Sequence, residues 1–323
     1  MTVLPPRLPP RDSGDAWVEA PDGKRYWGRY GAAGLLVHGE AGVLLQHRAE
    51  WSHFGGTWGL PGGARHEGET AVEGAVREAG EEAGVPAELL QLAFTSTFDL
   101  GFWSYVTVVV RATEAFTPTI GDAESLELRW VPVDEVDSLR LHPGFGASWP
   151  ALRARLGEHS RIVVDAANVI GSRPDGWWRD RLGANERLIA RLARLSAVGV
   201  AADGDGADRH WPRFDVVLEG RARDARGTDT AGAPGLTGGL VRLVRADGSG
   251  DDAIVATVAD PFPGETTVIT ADRELTSRVE ELGARVRGPR WVLDQLDALD
   301  RVEAPAQSAA PAPSDAPEGP PRG

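Results

Sequence analysis

The chain has 323 residues, 41% hydrophobic and 25% charged, a size and mixture that suit two globular domains rather than one. Its formal net charge of −14 argues against tight non-specific binding to nucleic acid, whose phosphates call for a basic footprint. It has no cysteine, which excludes disulfides, thiolate nucleophiles and zinc–thiolate centres. No signal-peptide core opens it and no apolar run approaches about 18 residues, so no membrane segment and a cytoplasmic location are expected.

In chain order, residues 1–20 begin with Pro5, Pro6, Pro9 and Pro10 and little apolar pattern, and are expected to form a flexible arm. A first folded unit is expected over residues 21–157. GAAGLLV (31–37) and GVLLQHR (42–48) read as strands split by a turn at His38-Gly39-Glu40. The glycine-rich stretch 53–69 follows, then a helix from Thr70 to Ala83. Its buried stripe is Val72, Ala75, Val76, Ala79 and Ala83, and Gly84 stops it. YVTVVVRA (105–112) and ELRWVPV (127–133) read as further strands, and WPALRARLG (149–157) as a helix that ends the unit.

A second unit is expected over residues 158–302. RIVVDAANV, FDVVLEG, TTVITAD and ARVRG read as strands. Helical patterns lie over 185–196, 251–259 and 273–283. Strands alternating with helices indicate a parallel, doubly wound sheet. Residues 303–323, mostly Ala, Pro, Ser and Asp, lack the apolar residues that would offset ordering entropy and are expected to be disordered.

Two groups of acids carry chemistry. Glu78, Glu81 and Glu82 stand at helical spacing i, i+3 and i+4, on one side of the expected helix. Their mutual repulsion would be relieved by a hard cation, and magnesium favours carboxylate oxygens shared with substrate phosphate. The same spacing also describes an ordinary solvated helix face. The surrounding residues decide between the two. Gly63 is followed after five residues by Glu69, and after seven more by Arg77-Glu78-Ala79-Gly80-Glu81-Glu82-Ala83-Gly84-Val85. This spacing resembles the Nudix box, G-x5-E-x7-R-E-U-x-E-E-x-G-U, with Ala79 smaller than the usual aliphatic residue. The upstream TWGLPGG is similar to the segment that enters it.

The resemblance covers roughly residues 26–157 and implies an α/β/α sandwich with a mixed sheet. It implies Glu78, Glu81 and Glu82 as ligands of Mg2+, with Mn2+ as the alternative, and the Gly62 carbonyl completing the shell. Glu69 and Arg77 would pair to hold the loop behind Gly63. An acid beyond the box often serves as base, and Glu124 is preferred over Glu127 for that part. The implied reaction is hydrolysis of a nucleoside diphosphate linked to another group, with a nucleoside triphosphate as the default substrate. The ADP-ribose signature proline is absent from residues 96–103. Trp51, Phe54, Trp58, Phe102 and Trp103 could stack on a base, although rings beside such a loop more often pack inward.

The second group is Asp165 and Asp272 at expected strand ends, and Asp251 and Asp252 at an expected helix start, with Asn168 nearby. Ligands of open α/β sheets bind at strand carboxyl ends. Asp251, Asp252 and Asp272 equally suit helix N-caps. VVDAANVI, GDDAIV and VITADREL resemble the NYN family of PIN-like nucleases. That resemblance implies Asp165, Asp251, Asp252 and Asp272 as ligands of magnesium or manganese, Asn168 as an orienting residue, and RNA as a partner. Arg173, Arg179, Arg181, Arg221 and Arg223 would be placed to meet its phosphates. Two further functions stay open: processing of RNA 5′ ends by both units together, and nucleotide sensing without turnover.

Overall fold

The computed structural model describes residues 12–174, 176–202, 208–227, 236 and 238–303. The expected disorder of 1–11 and 304–323 lies outside those residues. The arm itself ends sooner than residue 20. Trp17–Glu19 (β1) pairs antiparallel with Arg25–Trp27 (β2), because two tryptophans face each other across the hairpin and remove apolar surface from water.

The first sheet is mixed. Ala32–Gly39 (β3) and Gly42–Arg48 (β4) form a hairpin whose turn is Glu40-Ala41, so His38 and Gly39 stay in the strand. The short strands Trp58–Gly59 (β5) and Gly62–Ala64 (β6) pair with β4 and β3. The helix Ala71–Ala83 (α1) follows. Leu90–Asp99 (β7) and Ser104–Ala112 (β8) are antiparallel, whereas β8 runs parallel to β3. Ser125–Val131 (β9) closes on β4, and the helix Pro143–Arg155 (α2) ends this part. Alternation sets the layers. Leu35, Val37, Val108 and Val110 point to a core shared with Ala75, Ala79 and Ala83 of α1. Leu36, Val109, Val43 and Leu45 point to the other face, against Phe145, Trp149 and Leu152 of α2.

The second sheet is parallel throughout. The second half of the chain runs through Ser160–Asp165 (β10), Ala166–Gly171 (α3), Arg181–Val198 (α4), Val200–Ala201 (β11), Arg209–His210 (β12), Arg213–Leu218 (β13) and Val241–Arg245 (β14), of which β11 and β12 join the first sheet instead. Gly250–Ala259 (α5), Glu265–Ile269 (β15), Arg273–Glu280 (α6), Arg285–Arg287 (β16) and Pro289–Glu303 (α7) complete it. The strand order β14-β13-β10-β15-β16 reverses direction at β10. Ile162, Val164, Val216 and Ile269 face α4 and α7, whereas Val163, Val217 and Val268 face α5 and α6. Helices therefore cover both faces, as parallel strands with near-continuous apolar runs require.

The β11–β12 hairpin, although it lies in the second half of the chain, extends the first sheet. β12 pairs with β7 through His210 opposite Phe94, and Trp211 is buried in the core under α1. Among the described residues no helix is long and apolar enough to cross a membrane.

Candidate functional sites

The first site is built around α1. Thr70 caps the helix in a reciprocal box with Glu73, and Gly84 ends it with φ 61, a left-handed value that suits glycine. Glu69 accepts from Arg77 Nε at 2.8 Å, from Arg77 Nη2 at 3.0 Å and from the His66 backbone at 2.8 Å. Arg77 also donates to the Ala64 carbonyl at 3.0 Å and to Glu78 at 2.9 Å, and reaches Glu81 at 3.6 Å. One guanidinium thus ties the loop 64–69 to the helix. Glu69, which accepts its strongest hydrogen bond from Arg77, is held below the usual carboxylate range. A Cβ at Gly63 would lie 2.7 Å from the Glu78 carboxyl and would push that side chain aside.

Glu82 is buried, and its Oε2 accepts from the Gly62 backbone at 2.9 Å and from Gln46 Nε2 at 3.4 Å. Burial first, and then the charges of Glu78 and Asp122, push its carboxyl up to about 8, against the opposing Gly62 hydrogen bond and Arg48. Glu78 is also pushed up, mainly by burial and further by Glu81 and Asp15, with Arg77 opposing. Glu81 is more than half exposed and leans toward Arg77. As they stand, no three His, Asp or Glu side chains among the described residues converge tightly enough to hold a metal ion. The donor set still fits a hard cation. The acids are oxygen donors that repel one another, and Gln46 Oε1, on the residue bonded to Glu82, is buried without a hydrogen-bond partner.

Residues far from the box complete this cleft. The segment after Phe116 docks on the end of α1, with the Thr119 and Gly121 backbones donating to the Ala83 and Glu82 carbonyls. That docking brings Asp122 within electrostatic reach of Glu82. Glu124 stands beside Arg48 at 3.6 Å, and its carbonyl accepts from Ala49. Glu127 is half exposed beside Arg129. Sequence reasoning missed Asp122, Arg48 and Gln46. Asp122 lay in the same GDAES run as Glu124, and the β4·β9 ladder shifts register between His47 and Arg48. Of the candidate rings, Trp58 is buried and stacks on His47 at 4.8 Å. Trp51, Phe54 and Phe102 stay nearly half exposed.

The second site is a cleft of about 520 Å3 at the carboxyl ends of β10, β13 and β15, lined among others by Asp165, Asn168, Glu219, Asp251 and Asp272. Asp165 accepts from the Asn168 backbone at 3.0 Å and from Thr270 Oγ1 at 2.9 Å, and its buried carboxyl is pushed up, first by desolvation. Asn168 Oδ1 accepts from the Ala271 backbone at 2.9 Å, joining α3 to the end of β15. Asp272 caps α6. Desolvation, Asp272 and Glu219 all push Asp251 up. Asp252 departs from expectation. The turn of α5 aims it out of the cleft toward Arg278 at 2.6 Å, and Glu219, unnoticed in the sequence, lines the cleft and accepts from Gly250 at 2.9 Å. Arg173 is paired with Asp297, and Arg223 bonds the Gly220 carbonyl, so neither is held ready for phosphate.

A family model described as the NUDIX domain matches residues 28–152. A Mycobacterium tuberculosis protein called "Putative 8-oxo-dGTP diphosphatase 3" is 53% identical over 154 residues, covering 44% of this chain and 70% of that protein. A "Nucleoside triphosphate pyrophosphatase/Nudix hydrolase fusion protein" of Bifidobacterium longum is 41% identical over 165 residues, 48% of this chain and 34% of its own length. Among solved structures, a Nudix hydrolase from M. smegmatis, RenU, shares 50% identity over 44% of this chain and 94% of that one, with a TM-score of 0.41. The fold and the box define a hydrolase acting on acid anhydrides. The chain belongs to the Nudix family, whose members act on nucleotides with divalent metals.

Proposed function

We propose that residues 21–157 cleave the diphosphate bond of a nucleoside diphosphate linked to another group, by default a nucleoside triphosphate. The carrying observation is the strained charge of Glu82. A buried carboxyl beside Glu78 and Asp122 keeps its proton near neutral pH unless a cation joins it. Glu78, Glu81 and Glu82 are the ligands in this reading, with Mg2+ preferred and Mn2+ the alternative, and the Gly62 carbonyl adds an oxygen. A cation held there supplies charge neutralisation to the diphosphate and a more acidic water. Glu81 turns from Arg77 to bind, Gly63 leaves room for Glu78, and Glu69 with Arg77 keeps the loop shape. Glu124 accepts the proton of the attacking water, with Arg48 beside it holding that carboxylate in place.

The test is release of pyrophosphate and monophosphate from a nucleotide panel with magnesium. The name of the M. tuberculosis relative puts 8-oxo-dGTP on that panel. Glu82→Gln is expected to lower kcat at least a hundredfold with the fold kept. Equal turnover by the variant and the native protein would overturn the reading.

For residues 158–302 the reading is a PIN-like metal-dependent nuclease acting on RNA. Its support is that Asp165, Glu219, Asp251 and Asp272 line one cleft where the strand order reverses, the place where open α/β sheets bind ligands. In this reading both reactions take place in the cytoplasm. Labelled single-stranded RNA with manganese tests it: cutting lost in Asp165→Asn supports the reading, and no cutting by the native chain sinks it.

A further inference from the structure

Five rings of the first half, Trp27, Trp17, His53, Phe54 and His142, form one connected band. Trp17 of β1 packs against Trp27 of β2 at 5.2 Å and against His53 at 5.5 Å. His53 meets Phe54 at 4.2 Å, and Phe54 meets His142 at 4.7 Å. Trp17 stays 40% exposed and Phe54 46%. The band borders the acid cleft. Arg48, which donates to the His53 carbonyl at 3.1 Å, stands beside Glu124, and Asp15, two residues before Trp17, adds its charge to the field on Glu78.

Phe54 carries a second, independent signal. It has φ 57, the left-handed region, where a bulky residue is strained and glycine or asparagine would be relaxed. Among the described residues it is the one non-glycine with positive φ. The strain is not repaid by burial, because nearly half the ring faces water. Residues held in such strained backbone regions cluster at ligand sites.

We infer that Trp17 and Phe54, on either side of His53, form the wall that binds the nucleobase of the substrate. The site then selects a nucleotide over an inorganic polyphosphate or a pyrophosphorylated sugar. This rests on the Nudix reading of α1, and it assigns base recognition to a hairpin that begins before the matched residues 28–152. Flat rings give stacking area at low entropic cost and tolerate any base, so the wall supplies affinity rather than choice among bases.

The experiment is calorimetric titration with magnesium. One probe is dGTP carrying a methylene bridge between its α- and β-phosphorus atoms, and the other is inorganic tripolyphosphate. Phe54→Gly and Trp17→Ala are each expected to weaken the nucleotide analogue about tenfold or more, and to leave tripolyphosphate binding unchanged. Phe54→Gly should keep its Tm, since it removes backbone strain with the ring, and Trp17→Phe should recover most of the affinity. Equal losses for both probes, or a falling Tm with unchanged nucleotide affinity, would show that the rings only hold the hairpin and would overturn the inference. A native protein that turns over nucleotides while both variants bind the analogue normally sinks this inference alone. A native protein that neither binds nor cleaves any nucleotide sinks the Nudix reading with it.

Discussion

Glu82 shows how a single side chain can be set against its surroundings. Its carboxyl in the folded chain titrates at about 8, above the usual carboxylate value, so the folded state holds a proton that the unfolded state has already released. That proton's contribution to stability is present at low pH and is lost as pH rises through the folded value. Glu78, pushed up chiefly by burial, acts in the same direction. In the presence of a chelator, the unfolding temperature of the first half is expected to fall between pH 5 and pH 8. Glu82→Gln should flatten that fall, and magnesium should raise Tm more at pH 8 than at pH 6, as scanning calorimetry can check. The three glutamates were legible from spacing alone, because a helix converts i, i+3 and i+4 into one face. Asp122, Arg48 and Gln46 were not, since they meet Glu82 only after β4, β9 and the segment at Gly121 have folded around α1. Asp252 misled for a related reason. α5 turns Asp252 about 100° from Asp251, and Arg278 holds it there, whereas Asp251 lines the cleft.

At the scale of elements, α1 owes its limits to local chemistry that any reader of the chain can find. Thr70 and Glu73 satisfy each other's backbone donors, and Gly84 takes the left-handed cap. Thr70→Ala is expected to lower stability by about 1 kcal/mol, read from urea unfolding, with little change in turnover. Other elements were hidden for physical reasons. β5 and β6 are two and three residues long and exist only because β4 and β3 offer them partners. β1 and β2 are equally short, and their tryptophans, not their strand propensity, hold them together. β7 was different: Leu90, Leu92 and Phe94 alternate with Gln91 and Ala93, yet a bulge between Leu92 and Phe94 and the polar run Thr95–Thr97 break the pattern midway. The turn at Glu40-Ala41 was misplaced because His38 and Gly39 look like turn residues and sit in a strand.

At the scale of the whole molecule, the two sheets are legible as separate compositions but not as partners. Their connection runs through β12. The Arg209 and Trp211 backbones donate to Thr95 Oγ1 and the Ala93 carbonyl, and Asp208 accepts from the Thr97 backbone, all at 2.8 to 2.9 Å. A fragment of residues 12–157 would leave the edge of β7 open and the place of Trp211 unfilled. It is expected to unfold at a lower temperature than the same residues in the full chain, and to aggregate more readily through that edge.

The excursion of β12 also fixes what a protease would achieve. The short connection from Leu156 to Ser160 joins α2 to β10, and a cut there severs the chain between its two sheets. Such a nick would not set the pieces free. The downstream piece would remain stitched to the upstream one by the borrowed strand and its anchoring tryptophan, and the two would travel as a single particle through a sizing column until a denaturant drew them apart.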